Sequence, residues 1–80
     1  MKKNEIAIIE WLDPRSSDAW ATEEEELETL TPLNCTTVGF VLVDTKDHII
    51  AHHTISDEDT RCGGLIIPKG CIKSIRMVNQ

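Results

Sequence analysis

Four basic side chains near the end of the chain are the residues best suited to bind a ligand: Arg61, Lys69, Lys73 and Arg76. They occur within residues 60–80, which contain no acidic residue. Arginine can donate two parallel hydrogen bonds to a phosphate, and the neighbouring glycines leave backbone N–H groups accessible. The pattern predicts a site for a small anionic nucleotide ligand. The alternative is that these charges are solvated or pair with acidic loops, where each contributes little stability.

Two further side chains are candidates for stacking on such a ligand. Trp20 lies in a polar, irregular stretch at residues 15–21, where we expect it to be exposed. His53 adds an imidazole ring from a predicted strand. Tryptophan in a small domain is more often a core residue, and Trp11 is then the better core candidate. The predicted ligand site therefore includes Trp20 and His53.

The three cysteines and three histidines raise the question of a metal site. Structural zinc sites normally use paired ligands such as Cys-x₂-Cys. Cys62 and Cys71 lack that spacing, Cys35 is isolated, and adjacent His52 and His53 would point to opposite faces of a strand. The sequence predicts neither a metal nor a cofactor.

Catalysis by a cysteine nucleophile requires a base and a third group that orients the base. Cys62 lies beside Arg61 and a glycine pair, but no such set is recognisable around it. Paired carboxylates, phosphate-binding loops and dinucleotide motifs are also missing from the sequence. We therefore expect a protein that is not an enzyme.

The charge balance argues against a partner such as double-stranded DNA. The formal net charge is −6, whereas DNA-binding proteins normally present a basic surface. Residues 4–59 contain fourteen acidic and only two basic side chains, and five of the acids lie within residues 23–28. That acidic run predicts a solvated helix face, or alternatively a surface that docks on a basic host protein.

The odd cysteine count and the absence of a basic-apolar leader favour free thiols in a reducing cytoplasm. No apolar run approaches the roughly 20 residues of a transmembrane helix. The sequence therefore predicts a cytoplasmic protein with no membrane partner.

The first half of the chain predicts a strand and a short helix. Residues 5–13 form an isoleucine-rich strand that is apolar on both faces and ends at Pro14. Thr22 and Glu25 form a capping box at the start of a helix that ends before Pro32.

The second half predicts a hairpin followed by two short strands. Residues 35–44 and 48–55 pair across a polar turn, and Gly39 indicates a bulge, a bend or a close backbone approach. Residues 63–64 should turn the chain again before a strand at residues 65–67. A tight 3₁₀-like turn at Pro68-Lys69-Gly70 then leads to the last strand, residues 73–78.

Five short strands with closely spaced turns predict a small all-β barrel or sandwich. With the 3₁₀-like turn before the last strand, the pattern resembles a five-stranded SH3-like or Sm-like barrel, and an SH3-like barrel is the fold we expect. The short helix lies in the loop between strands 1 and 2, whereas an OB-fold, the second choice, places its helix later. All 80 residues would form one domain. The two apolar faces of the first strand and the small core predict a homo-oligomer.

The chain also resembles small phage and prophage proteins of unassigned function. The resemblance lies in Trp11, Trp20, Thr37-Val38-Gly39-Phe40 and Ile67-Pro68-Lys69-Gly70-Cys71-Ile72. Some phage proteins of this size counter bacterial immunity by sequestering nucleotide immune signals. The resemblance implies an anti-defence protein in the host cytoplasm that sequesters such a signal. The alternative is an interaction module that inhibits a host protein through the acidic helix and loop.

Overall fold

A computed structural model describes residues 4–14 and 20–78 and shows a mostly β chain. Residues 15–19 of the predicted irregular stretch lie outside the described part. The strands are β1 (Ile6–Asp13), β2 (Leu33–Asp44), β3 (His48–Ile55), β4 (Arg61–Pro68) and β5 (Ile72–Met77). A helix, α1 (Glu23–Thr29), lies between β1 and β2, and a 3₁₀ turn (Lys69–Cys71) lies between β4 and β5.

The five strands form one antiparallel sheet in the order β4-β3-β2-β1-β5. The prediction of a small all-β fold with five strands, and with a helix between the first two, is confirmed. The sheet is barrel-like but not closed, because β4 and β5 are its two edges and do not pair with each other in the described residues.

The core lies on one face of the sheet and is small. Its fully buried apolar residues, each at most 1% exposed, are Ala7, Ile9, Val41, Ile49, Ala51 and Ile67. Partly buried side chains pack around them: Trp11, Leu65, Ile72, Ile75 and Met77. This inner face takes the alternate residues of each strand, as the pleat requires.

Gly39 brings β2 close to β3 beside this core. A Cβ at this position would lie 3.0 Å from the carbonyl oxygen of His52 and 3.4 Å from Cβ of Ala51. The predicted close backbone approach at Gly39 is therefore confirmed. A shift in register follows a few residues later, between Val41 and Val43.

The predicted polar turn between β2 and β3 is also present. The hydroxyl of Thr45 accepts hydrogen bonds from the backbone N–H groups of Asp47 and His48, at 3.2 and 3.1 Å. The backbone N–H of Thr45 donates to the carbonyl oxygen of His48 at 2.9 Å. These bonds fix the hairpin.

The prediction of a turn at Gly63 and Gly64 is wrong. Both glycines lie within β4, where Gly64 is opposite His52. The chain turns earlier, where the hydroxyl of Ser56 accepts from the N–H groups of Glu58 and Thr60 at 3.2 and 3.1 Å. A turn held by serine and threonine hydroxyls made the glycines unnecessary for reversing the chain.

The remaining element boundaries differ little from the prediction. β2 begins at Leu33, two residues early, and β5 begins at Ile72, one residue early. Ile75 and Met77 pack against the core as expected. No helix in the described residues is long and apolar enough to cross a membrane.

Candidate functional site

Lys69 is already paired within the chain. Its ammonium group lies 2.6 Å from Oδ1 of Asp44, and its backbone N–H donates to the carbonyl oxygen of Asp47 at 2.8 Å. Both contacts join the 3₁₀ turn to the β2–β3 hairpin. An added anion would have to compete with the carboxylate of Asp44 for this charge.

Arg61 lies at the start of β4 with its side chain only 11% exposed. Its Nη2 donates to Oδ1 of Asn4 at 2.7 Å and lies 3.6 Å from a carboxylate oxygen of Asp59. Its Nη1 is buried and has no hydrogen-bond partner among the described residues. An uncompensated buried donor of this kind is costly, so this is the basic group with most to gain from an added acceptor.

The other two basic residues lie on β5. Lys73 donates to Oδ1 of Asn34 at 3.1 Å. Arg76 is exposed, lies opposite Ile8 of β1, and makes no hydrogen bond or ion pair with the described residues. Of the four predicted basic ligands, Arg76 is the one that has no polar partner in the described part of the chain.

The four basic residues do not meet at one point. Arg61 and Lys69 lie at opposite ends of β4, about 25 Å apart at roughly 3.3 Å per residue. They cannot bind the same phosphate. The sequence pattern of an acid-free segment therefore did not reveal that its charges are divided among separate contacts.

The two histidines of β3 lie against the two glycines of β4. A Cβ at Gly63 would be 1.8 Å from Cδ2 of His53, and one at Gly64 would be 2.8 Å from Nε2 of His52. Gly63 also has φ +70°, which is strained for other residues. The glycine pair thus provides room for imidazole rings, and His53 keeps its exposed position beside Gly63.

The segment between β1 and β2 presents a second candidate surface, which we call the acidic arm (residues 20–32). Trp20 is 104% exposed and Leu27 is 76% exposed. The hydroxyl of Thr22 accepts from the N–H of Glu25 at 3.2 Å, which confirms the predicted N-cap. No residue of α1 is buried, and four glutamates occupy its first turn. Apolar and acidic groups are therefore exposed together.

The radius of gyration exceeds that of a compact domain. It is 15.6 Å, whereas a compact domain of this length would have a radius of about 12 Å. The longest dimension, 49 Å, is twice the other two, 24 and 21 Å.

The side of the sheet opposite the core, which we call the outer face, is also apolar. Register pairs place a continuous set of side chains across β1 to β4 on this face: Ile6, Ile8, Val38, Phe40, Ile50 and Ile66, with His52 among them. Val38 and Ile66 are each 58% exposed. The sequence predicted a second apolar face for β1, but it did not show that the neighbouring strands extend it.

The cysteines are free thiols, with Cys62 exposed and Cys35 and Cys71 half-buried. Among the described residues no group of three or more potential ligands is arranged to hold a metal ion.

No protein-family model, curated protein or solved structure matches this chain. The indications of the function of this protein therefore lie in its own surfaces.

Proposed function

We propose that this protein is a non-enzymatic interaction module that binds a basic host protein in the cytoplasm through its acidic arm. The observation that supports this proposal is the exposure of Trp20 and Leu27 beside the acidic first turn of α1. Large apolar side chains supply most of the binding energy in protein interfaces, and tryptophan is the residue most enriched there.

The charges of the arm would select the partner. Glutamates around Leu27 attract a basic surface at long range and disfavour acidic proteins. The net charge of −6 reinforces this steering. Binding through the arm also requires no pocket, which agrees with a small sheet whose interior is filled by its core.

Affinity capture from host lysate, followed by titration of the purified partner, tests the proposal. Trp20→Ala should weaken binding about 30-fold or more if Trp20 is the anchor. Glu24→Gln/Glu28→Gln should weaken it further at low salt. The control Asp57→Asn/Glu58→Gln removes the same charge from the exposed β3–β4 loop. Equal losses for arm and loop variants, or capture that survives Trp20→Ala, would contradict the proposal.

A second candidate function is sequestration of a small anionic nucleotide signal, as an anti-defence protein of a phage or prophage. It is favoured by Nη1 of Arg61 and by the guanidinium of Arg76, since neither has a hydrogen-bond partner within residues 4–14 and 20–78. Lys73, Trp20 and His53 remain predicted contacts of this ligand, whereas Lys69 lies about 25 Å from Arg61 and cannot share one small ligand with it in the same chain. The viral origin rests on the sequence resemblance alone.

Calorimetric titration with cyclic dinucleotides and cyclic ADP-ribose derivatives tests this candidate. A true site should lose affinity in Arg61→Lys, which keeps the charge but removes the planar fork. The variant Lys46→Gln removes a positive charge from the exposed β2–β3 turn and should leave binding unchanged, which separates a specific site from a general effect of net charge. Absence of binding heat with every ligand would exclude sequestration of these nucleotides.

A further inference from the structure

Two apolar surfaces are left uncovered by the residues that the structure describes. The acidic arm has no buried residue and exposes Trp20 and Leu27, whereas the outer face is a sheet surface with Val38 and Ile66 exposed. Contiguous apolar surface of this kind marks an interaction site in a monomeric protein.

The helix of the arm is only marginally stable without an external contact. It has seven residues and none is buried. Isolated helices shorter than about 12–15 residues are marginal in water, and helices in proteins obtain most of their stability from packing. The cap at Thr22 alone contributes about 1 kcal/mol, which does not replace a packed face.

The arm does not cover the outer face of its own chain. It leaves the sheet where Asp13 and Leu33 form the last register pair of β1 and β2. Leu27 remains 76% exposed while Val38 and Ile66 remain 58% exposed. An arm packed on its own sheet would have buried both sets of side chains.

The charges at the rim of the outer face suit the arm of another copy. Arg76, opposite Ile8, is exposed on the β5 side of this face. The arm has glutamates at Glu23, Glu24, Glu25 and Glu26, and its helix has no basic residue in the last turn. Leu27 could pack on the apolar face while neighbouring glutamates reach Arg76, as in interfaces with an apolar centre and a polar rim. Glu10 lies on the same face next to Ser74, nearer the attachment of the arm.

We propose that, in the free protein, the acidic arm of one copy packs on the outer face of a second copy. Reciprocal exchange of the two arms gives a two-fold dimer, which covers both surfaces and leaves no open end for further addition. This inference goes beyond the proposed function, because it identifies what occupies the arm before a host protein binds. Host protein and second copy then compete for the same arm.

Sedimentation equilibrium of the purified full chain tests the dimer. Leu27→Glu changes the arm and Ile66→Lys changes the outer face, and both side chains are exposed enough for the fold to survive. Each variant should raise the dimer dissociation constant at least about 30-fold. Lys46→Gln and Asp57→Asn reproduce the two charge changes at exposed positions in other loops and should leave the dimer intact. Circular dichroism confirms that each variant remains folded.

A mixing experiment distinguishes arm exchange from other dimers. The Ile66→Lys chain still has an intact arm, and the Leu27→Glu chain still has an intact outer face. Their mixture should form a one-to-one heterodimer through one of the two contacts, at concentrations where each variant alone is monomeric. A dimer of Leu27→Glu as stable as that of the unaltered protein would indicate direct sheet-to-sheet contact and overturn the inference.

Two other outcomes would also overturn it: an unaltered protein that is monomeric at several hundred micromolar, or a mixture of variants that stays monomeric. Because these measurements use only the purified chain, they do not depend on a host partner. A monomer that still captures a host protein through Trp20 would refute arm exchange and leave the proposed function standing. A dimer that captures no host protein would support arm exchange and refute the proposed function.

Discussion

At the scale of single residues, Gly63 is a position in the described chain where the structure requires glycine. Its φ of +70° is unfavourable for a residue with a Cβ, and an added Cβ would overlap the ring of His53. We expect Gly63→Ala to lower the free energy of unfolding by about 1–2 kcal/mol, as measured by urea denaturation. Gly70→Ala is the matched control, since no atom lies within 4 Å of its Cβ position.

Two results would contradict this account of Gly63. The first is a loss for Gly70→Ala as large as that for Gly63→Ala. The second concerns the double variant His53→Ala/Gly63→Ala, in which the ring is absent. It should recover the part of the loss that is due to overlap and keep the part due to the left-handed backbone. Full recovery would show that the backbone conformation is not strained.

The histidine–glycine contacts show why residue roles were only partly predictable. The sequence indicated that Gly39 marks a bulge, a bend or a close backbone approach, because it interrupts a predicted strand, and the close approach is what the structure shows. At Gly63 and Gly64 the same residue type suggested a turn. The competing use, room for the rings of His52 and His53, depends on the β3–β4 register, which the sequence does not show directly.

The basic residues illustrate the same limit. The acid-free segment was visible in the sequence, but most of the acceptors of its charges lie far away along the chain. Arg61 binds Asn4, Lys73 binds Asn34, and Lys69 binds Asp44. Charge patterning along a chain therefore identified the basic residues without showing which of them are open to a ligand.

At the scale of elements, α1 is a helix held mainly by its own cap. Thr22→Ala removes the acceptor for the N–H of Glu25 and should destabilise the helix by about 1 kcal/mol. Because no residue of α1 is buried, the sheet should keep its unfolding midpoint. Hydrogen exchange at a concentration where the protein is monomeric should show faster exchange of the helix amides alone.

Thr22→Ser is the control for this prediction, because its hydroxyl can still cap the helix. Protection of the helix amides should return in that variant. An equal loss of stability in helix and sheet after Thr22→Ala would instead show that the arm is coupled to the core of its own chain.

The positions of the strands were predicted better than which face of each strand lies inside. Turn residues and β-branched runs placed all five strands to within a few residues, except that β4 begins at Arg61 instead of Leu65. The alternation of residues in β2 did not decide which of its faces is the inner one, since both alternate sets of residues are apolar. The structure places Gly39 and Val41 inside, where space between strands is small, and leaves the larger Phe40 outside.

At the scale of the whole molecule, the main feature is an imbalance between a small core and a large apolar exterior. A sheet with one buried face has a thin stability margin at this chain length. Burial of the outer face under another arm would add apolar contacts that the single chain lacks. The stability of the protein should then depend on its own concentration, as for any folded state stabilised by association.

Thermal unfolding across a range of concentrations tests this dependence. Above the dimer dissociation constant, each tenfold rise in concentration adds about 0.7 kcal/mol per chain, which corresponds to a rise in Tm of roughly 3–5 °C for a domain of this size. The Tm of Leu27→Glu should stay constant over the same range, because its arm no longer binds. If the Tm of the unaltered protein is also constant, the exposed outer face contributes nothing to stability in the free protein. The molecule that covers this face must then be a different partner.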